Sequence, residues 1–313
     1  MKLSPLLSLA VAVSLPLTLR AELLVYEGFD PADSSADLQS GQLAGATSKG
    51  FASDSKWEVL GSEDFIAEFS ADGLAMPGLA SVGGAARIGV GGAGQAMVNA
   101  FRKSGVSVAP GSTIYGSFLF QNDQSESRYL TFLGVDTGEE LEGEKGNTRE
   151  AHRLADNDTA MVLCLSPDSF ARDEEGVPGR STQGIKVGKY PTFGSKDMAG
   201  ADYELANSET YLVVWSVTNT AGGGSPASQQ QVVMWILSAD NLKAIRAAGE
   251  ATETAVDSNS LVRMVAPSGL RARLLDSDFL NLSASLAGGH KRSSSVYDEI
   301  RIGSDMASVL PAP

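Results

Sequence analysis

Tyr211-Leu-Val-Val-Trp215 and Val232-Val-Met-Trp-Ile236 decide the architecture. Both runs are apolar at odd and even positions alike, so a strand formed by either must be covered on both faces. Between them lies Ala221-Gly-Gly-Gly-Ser-Pro226, the composition of a flexible hairpin loop. Working outward, shorter runs rich in Val, Ile, Leu and aromatic residues recur at 23–28, 113–121, 129–135, 159–165, 279–285 and 295–302. Such residues fit a pleated, half-buried surface, and turn residues separate the runs. One helix is expected, after the second run: Ser238 caps it, Asp240 sits in its first turn, Leu242 and Ile245 share a face, and Gly249 stops it. Many strands, one helix and no alternating βαβ pattern predict a β-sandwich. No composition shift marks a boundary and no internal repeat is present, so residues 22–313 read as one domain.

Residues 1–21 read as a secretory signal peptide. Lys2 supplies the charged start, residues 6–17 the apolar stretch, and Leu19-Arg20-Ala21 ends on the small residue preferred at the cut. The protein is therefore expected to be secreted or to reside in the cell envelope, with no membrane span in its mature part. The 313-residue chain carries 24 Lys and Arg against 38 Asp and Glu, a net charge of −14. Removing Lys2 and Arg20 makes it more negative. Such a balance argues against nucleic acid and against anionic membrane as partners. With Cys164 the only cysteine, no intrachain disulfide forms, and its setting in Met161-Val-Leu-Cys-Leu165 suits a buried thiol better than a nucleophile. Two polar inserts stand out, near 137–158 and 171–180, and both read as solvated loops.

The chemical motifs are sparse. Gly89-Val-Gly-Gly-Ala-Gly94 matches a dinucleotide-binding string, yet residues 104–122 lack the acidic partner that the ribose would need, so a turn is expected. His152 and His290 are the two histidines, and neither accompanies a Gly-x-Ser-x-Gly elbow. Cysteine and histidine are too few for a thiolate–imidazole metal centre. Asp156-Asn-Asp158 and Asp276-Ser-Asp278 do not extend into a calcium-binding loop and are explained by turn chemistry. Glu63-Asp-Phe-Ile-Ala-Glu68 is the nearest approach to paired carboxylates, but lacks the spacing that would alternate them along one strand face. No catalytic residue is assigned.

The order of segments carries a resemblance. Leu23-Leu-Val-Tyr-Glu-Gly-Phe-Asp30 precedes Leu43-Ala-Gly45, Gly50-Phe51, Trp57 and Leu74-Ala-Met-Pro-Gly-Leu79. Then come Gly111-Ser-Thr-Ile-Tyr-Gly-Ser-Phe-Leu119, Thr210-Tyr-Leu-Val-Val-Trp215 and Tyr297-Asp-Glu-Ile-Arg-Ile-Gly303. This series resembles the concanavalin A-like, laminin-G-like jelly-roll proteins exported by bacteria of the verrucomicrobial and planctomycete kind. The resemblance implies an all-β jelly roll of two curved antiparallel sheets with one short helix, and chain ends close together. That fold hosts lectins, glucanases and adhesion modules alike, so the function it implies is analogy. The expectation is an exported, non-catalytic binding or structural module, with polysaccharide or cell-surface glycan as ligand. The alternatives are a glycan-cleaving hydrolase of glucanase type and a surface or matrix adhesion protein. Trp57, Trp215 and Trp235 are the only tryptophans, and two lie on core-like strands, so platforms for sugar stacking are scarce.

The resemblance also raises a structural calcium ion at the chain ends, as related glucanases of this fold hold. Val296, Asp298, Ile300 and Ile302 share one parity, as do Leu23, Val25, Glu27 and Phe29. Glu27 and Asp298 therefore fall on apolar strand faces, where an unpaired charge costs several kcal/mol. Calcium would satisfy both through hard oxygen ligands. The competing expectation is that a bulge turns them away, or that Arg301 or backbone donors satisfy them.

Overall fold

The computed structural model describes residues 22–30, 51, 57–61, 65–90, 96–103, 106, 109, 111–122, 130–131, 161–166, 184–189, 198–201, 203, 205–206, 208–220, 230–249, 251–265, 279–286 and 293–311. The expected signal peptide (residues 1–21), the polar inserts at 137–158 and 171–180, both histidines and the two Asp-x-Asp sequences lie outside these residues.

The two deciding runs form β11 (Thr210–Asn219) and β12 (Gln230–Leu237), paired antiparallel from Leu212↔Leu237 to Asn219↔Gln230. They occupy the interior of an eight-stranded sheet ordered β13 (Val262–Val265), β12, β11, β6 (Thr113–Asn122), β15 (Ser293–Gly303), β4 (Ala85–Val90) and β3 (Phe65–Ser70). The eighth strand, β1 (Leu23–Glu27), pairs with the C-terminal half of β15. A three-stranded ladder joins β14 (Phe279–Leu286), β5 (Ala96–Lys103) and β2 (Glu58–Gly61), and a four-stranded one joins β10 (Met198–Ala201), β9 (Gly184–Lys189), β8 (Met161–Ser166) and β7 (Leu130–Thr131). Every pairing is antiparallel. The chain passes repeatedly between layers, from β1 to β2, β4 to β5, β5 to β6 and β14 to β15. The protein is thus an all-β sandwich of jelly-roll type. The glycine string beginning at Gly89 starts at the end of β4, whose neighbours β3 and β15 are both antiparallel, so no βαβ unit exists there.

The large sheet separates two cores. On one face Phe118, Phe120, Val213, Trp215, Met234, Ile236 and Tyr297 pack with Val98 and Ala100 of β5 and with Trp57. On the other, Leu119, Leu212, Val214, Val233, Trp235 and Leu237 pack beneath Leu74, Met76 and Leu79 and three helices. Those helices are α1 (Ala239–Ala247), α2 (Glu253–Asn259) and α3 (Met306–Val309). The single expected helix is α1, with Ser238 as its cap and Leu242 and Ile245 buried. The other two are corrections: each is short, opens on a side-chain cap (Thr252 and Asp305), and is held by tertiary burial of one or two apolar residues rather than by periodicity.

Within the first core, Gly116 of β6 lies opposite Trp215 of β11, and a Cβ at 116 would overlap the buried indole ring. Gly116→Ala is therefore expected to destabilise the fold by about 3 kcal/mol through overpacking. Denaturant unfolding measures this, and a change under about 0.5 kcal/mol would show that the ring can shift.

Candidate functional site

The strand bearing Asp298 does not keep the alternation expected of it. β15 pairs with β6 at Asp298↔Leu119 and next at Arg301↔Ser117, so one extra residue is accommodated between them. Glu299 takes it up with φ of +53°, a left-handed conformation unusual for a side chain of this size. The bulge exchanges the two faces. Val296 and Asp298 belong to the helix-covered side, while Ile300 and Ile302 join Tyr297 in the core between the sheets. Glu27, opposite Ile300 on β1, lies on that inter-sheet side. The two candidate calcium ligands consequently occupy opposite faces of one sheet.

Each has protein donors of its own. Glu27 accepts hydrogen bonds from Trp57 Nε1 (2.9 Å), from Arg102 Nη1 (3.0 Å) and from the Phe29 amide (2.9 Å). Arg102 is about 1% exposed, and its guanidinium stacks 3.9 Å from the Phe51 ring centroid. Burial draws the Arg102 pKa down, while Glu27 beside it opposes that shift. The result is a buried ion pair inside an aromatic cage of Phe29, Phe51 and Trp57. A cation at Glu27 would have to compete with the guanidinium already there.

Asp298 accepts from the Leu74 amide (2.8 Å) and from the Glu299 amide (2.6 Å). Burial first, and the neighbouring Glu299 carboxylate second, push its pKa up to about 8. Glu299 in turn accepts from the Val82 amide (2.5 Å), from the Tyr26 hydroxyl (3.0 Å) and from Arg301 Nη2. Arg301 also donates to Ala80 O (3.0 Å) and lies over the Tyr26 ring. Burial and the Glu299 charge raise the Tyr26 hydroxyl pKa. The geometry does not join Glu27 and Asp298 around one cation, so these residues do not fit a shared calcium. Among the described residues no group of three or more His, Cys, Asp or Glu comes together as a metal cage.

Sequence reading identified Glu27 and Asp298 as buried carboxylates in need of partners, and named the bulge and backbone donors as one answer. It missed Arg102, whose partner lies 75 positions away, and Glu299, which strict alternation would have turned elsewhere. The one available signal was Tyr297, an aromatic residue of opposite parity to Ile300 and Ile302.

A second candidate is the three-stranded ladder, at the register positions alternate to its buried residues. The pairs Ala100↔Leu282 and Arg102↔Leu280 share the parity of the buried Val98 and Ala100. The other parity places two rows across β2, β5 and β14: Glu58, Phe101 and Asn281, then Leu60, Asn99 and Ser283. All three tryptophans are buried, at 0%, 1% and 0% exposure for Trp57, Trp215 and Trp235. None is free to stack on a ligand.

No family model matches the chain, and no curated protein matches it. Solved structures do. The exoplasmic/lumenal domain of VIP36, in its Ca2+/Man2-bound form, is 10% identical, with 88% of this chain and 90% of that one covered and a TM-score of 0.43. Peanut lectin with a nine-residue peptide is 10% identical over 79% of this chain and 97% of its own, at a TM-score of 0.39. A structure reported with endo-acting O-glycanases of the human gut microbiota is 12% identical over 90% and 99%, at 0.41.

Proposed function

We propose that the protein is an exported, non-catalytic glycan-binding module whose ligand lies across the outer face of β2, β5 and β14. One observation carries this reading. The large sheet spends both faces on packing, whereas in the three-stranded ladder the register sets Glu58, Phe101 and Asn281, then Leu60, Asn99 and Ser283, at positions alternate to the buried Val98 and Ala100. Amides and hydroxyls match the donors and acceptors of a sugar, and an aromatic ring matches its apolar face. Three strands about 4.8 Å apart make a strip roughly 10 Å wide, room for two or three sugar rings. With every tryptophan in the core, Phe101 is the residue assigned to stacking. The net charge of −14 disfavours uronate-rich or sulfated polymers, so neutral glycans are the expected class.

Pull-down on insoluble neutral polysaccharides, with alginate and a sulfated galactan as anionic controls, tests the reading. Phe101→Ala combined with Asn281→Ala is expected to weaken retention at least tenfold while leaving the melting temperature within a few degrees. Failure to bind any glycan would refute the assignment. Reducing sugar released during incubation would instead make the protein a glycan-cleaving enzyme, and retention by cells but not by purified glycan would make it an adhesion module.

A further inference from the structure

Three segments far apart in sequence meet at the β15 bulge. Glu299 binds Tyr26 of β1, 273 positions away, and the amide of Val82, 217 positions away. Asp298 binds the amide of Leu74 across 224 positions, and Arg301 binds Ala80 O across 221. Just beyond, Ser304 N donates to Glu22 O and Ser304 Oγ accepts from Glu22 N. The backbones approach so closely that Gly83, at φ of +90°, has no room for a Cβ against Asp30 and Gly28 O. Gly73 is similarly enclosed by Gly83 O and the Asp298 carboxylate.

We propose that this junction of β1, residues 72–84 and the β15 bulge is a closure lock, which sets after the sandwich has condensed and governs how fast the folded protein opens. Two features place it late in folding. Its contacts span more than 200 positions, so each requires a large loop to close before any bond forms. It also holds two bulky residues at left-handed φ, Phe29 at +50° and Glu299 at +53°. Such conformations persist only where the surroundings over-determine them. Until Val82, Tyr26 and Arg301 are in place, nothing offsets that strain, so Glu299 turns into its native conformation last. β1 has no strand partner among the described residues other than β15, so the chain's first strand must wait for one of its last.

Interactions formed on the native side of the folding barrier affect unfolding rather than refolding. Stopped-flow refolding and unfolding in urea of the full chain tests this with Glu299→Gln and, as a core control, Val98→Ala. Glu299→Gln is expected to unfold at least tenfold faster and to refold within twofold of the parent. Val98→Ala, in the core between the sheets, is expected to slow refolding as well. Should Glu299→Gln fail to fold, Tyr26→Phe removes one hydroxyl donor and is expected to unfold about threefold faster with unchanged refolding. Slower refolding in either junction variant, in proportion to its loss of stability, overturns the proposal. So does an unfolding rate that neither substitution changes.

Discussion

Arg102→Leu is expected to destabilise the protein by about 3–5 kcal/mol, the cost of leaving a buried carboxylate without its cation. Glu27 is 1% exposed and sits between the sheets, where water cannot reach it without opening the core. The substitution also removes the guanidinium stacked on Phe51. Adding Glu27→Gln to Arg102→Leu abolishes the stranded charge, so the double variant is expected to be more stable than Arg102→Leu alone. Trp57 Nε1 and the Phe29 amide meet different oxygens of Glu27, so glutamine keeps an acceptor for one of them and loses the other hydrogen bond, a smaller cost than the stranded charge. Chemical denaturation of the parent and the three variants gives the coupling directly. Additive losses, with coupling under about 0.5 kcal/mol, would mean that the pair contributes packing and not charge.

The second large effect is a pH dependence carried by Asp298. Its folded pKa of about 8 lies above the usual 3.8, raised chiefly by burial and then by Glu299. The native state therefore holds a proton that the unfolded chain releases. By linkage, the contribution is fully present below about pH 4 and is lost progressively as the pH rises to about 8, above which it levels off. The full swing is on the order of several kcal/mol. Asp298→Asn cannot titrate, but it presents an amide to one of two backbone N–H groups and so loses a hydrogen bond. It is expected to be less stable than the parent at pH 4 and to gain on it steadily towards pH 8. Urea midpoints at pH 4, 6 and 8 measure the difference, and parallel curves would show that Asp298 titrates normally.

The parts of this fold that could be read in advance are those where local chemistry and tertiary demand agree. β11 and β12 are apolar on both parities because both faces are covered, and α1 announces itself through Ser238, Leu242 and Ile245. β13 gives little signal, because Val262-Arg-Met-Val265 is short and carries a charge. α2 escaped because Glu253-Thr-Ala-Val-Asp-Ser-Asn259 presents only Val256 as a buried apolar residue. A tertiary bond from Trp235 Nε1 to Asp257 helps hold it in place. The junction chemistry lay deeper still. Plain alternation already sets Glu299 beside Arg301, but that Asp298 reaches the same junction depends on one inserted residue, which an alternation of seven letters does not reveal. The partners of both carboxylates come from Trp57, Arg102, Leu74 and Val82, which only the folded chain brings near.

The pairing of β1 with β15 has a practical use in protein engineering. Glu22 and Ser304 exchange backbone and side-chain hydrogen bonds, and beyond Ser304 the chain forms α3 and reaches Pro311, whose carbonyl accepts from Arg246 of α1. Glu22 and the segment after Ser304 thus lie at one corner. A short Gly/Ser tether could join them, with new ends opened in the β11–β12 connection, whose flanking residues Asn219 and Gln230 remain paired. The same corner would let the whole sandwich be spliced into a surface loop of an unrelated host, or strung in tandem to multiply weak affinities by avidity.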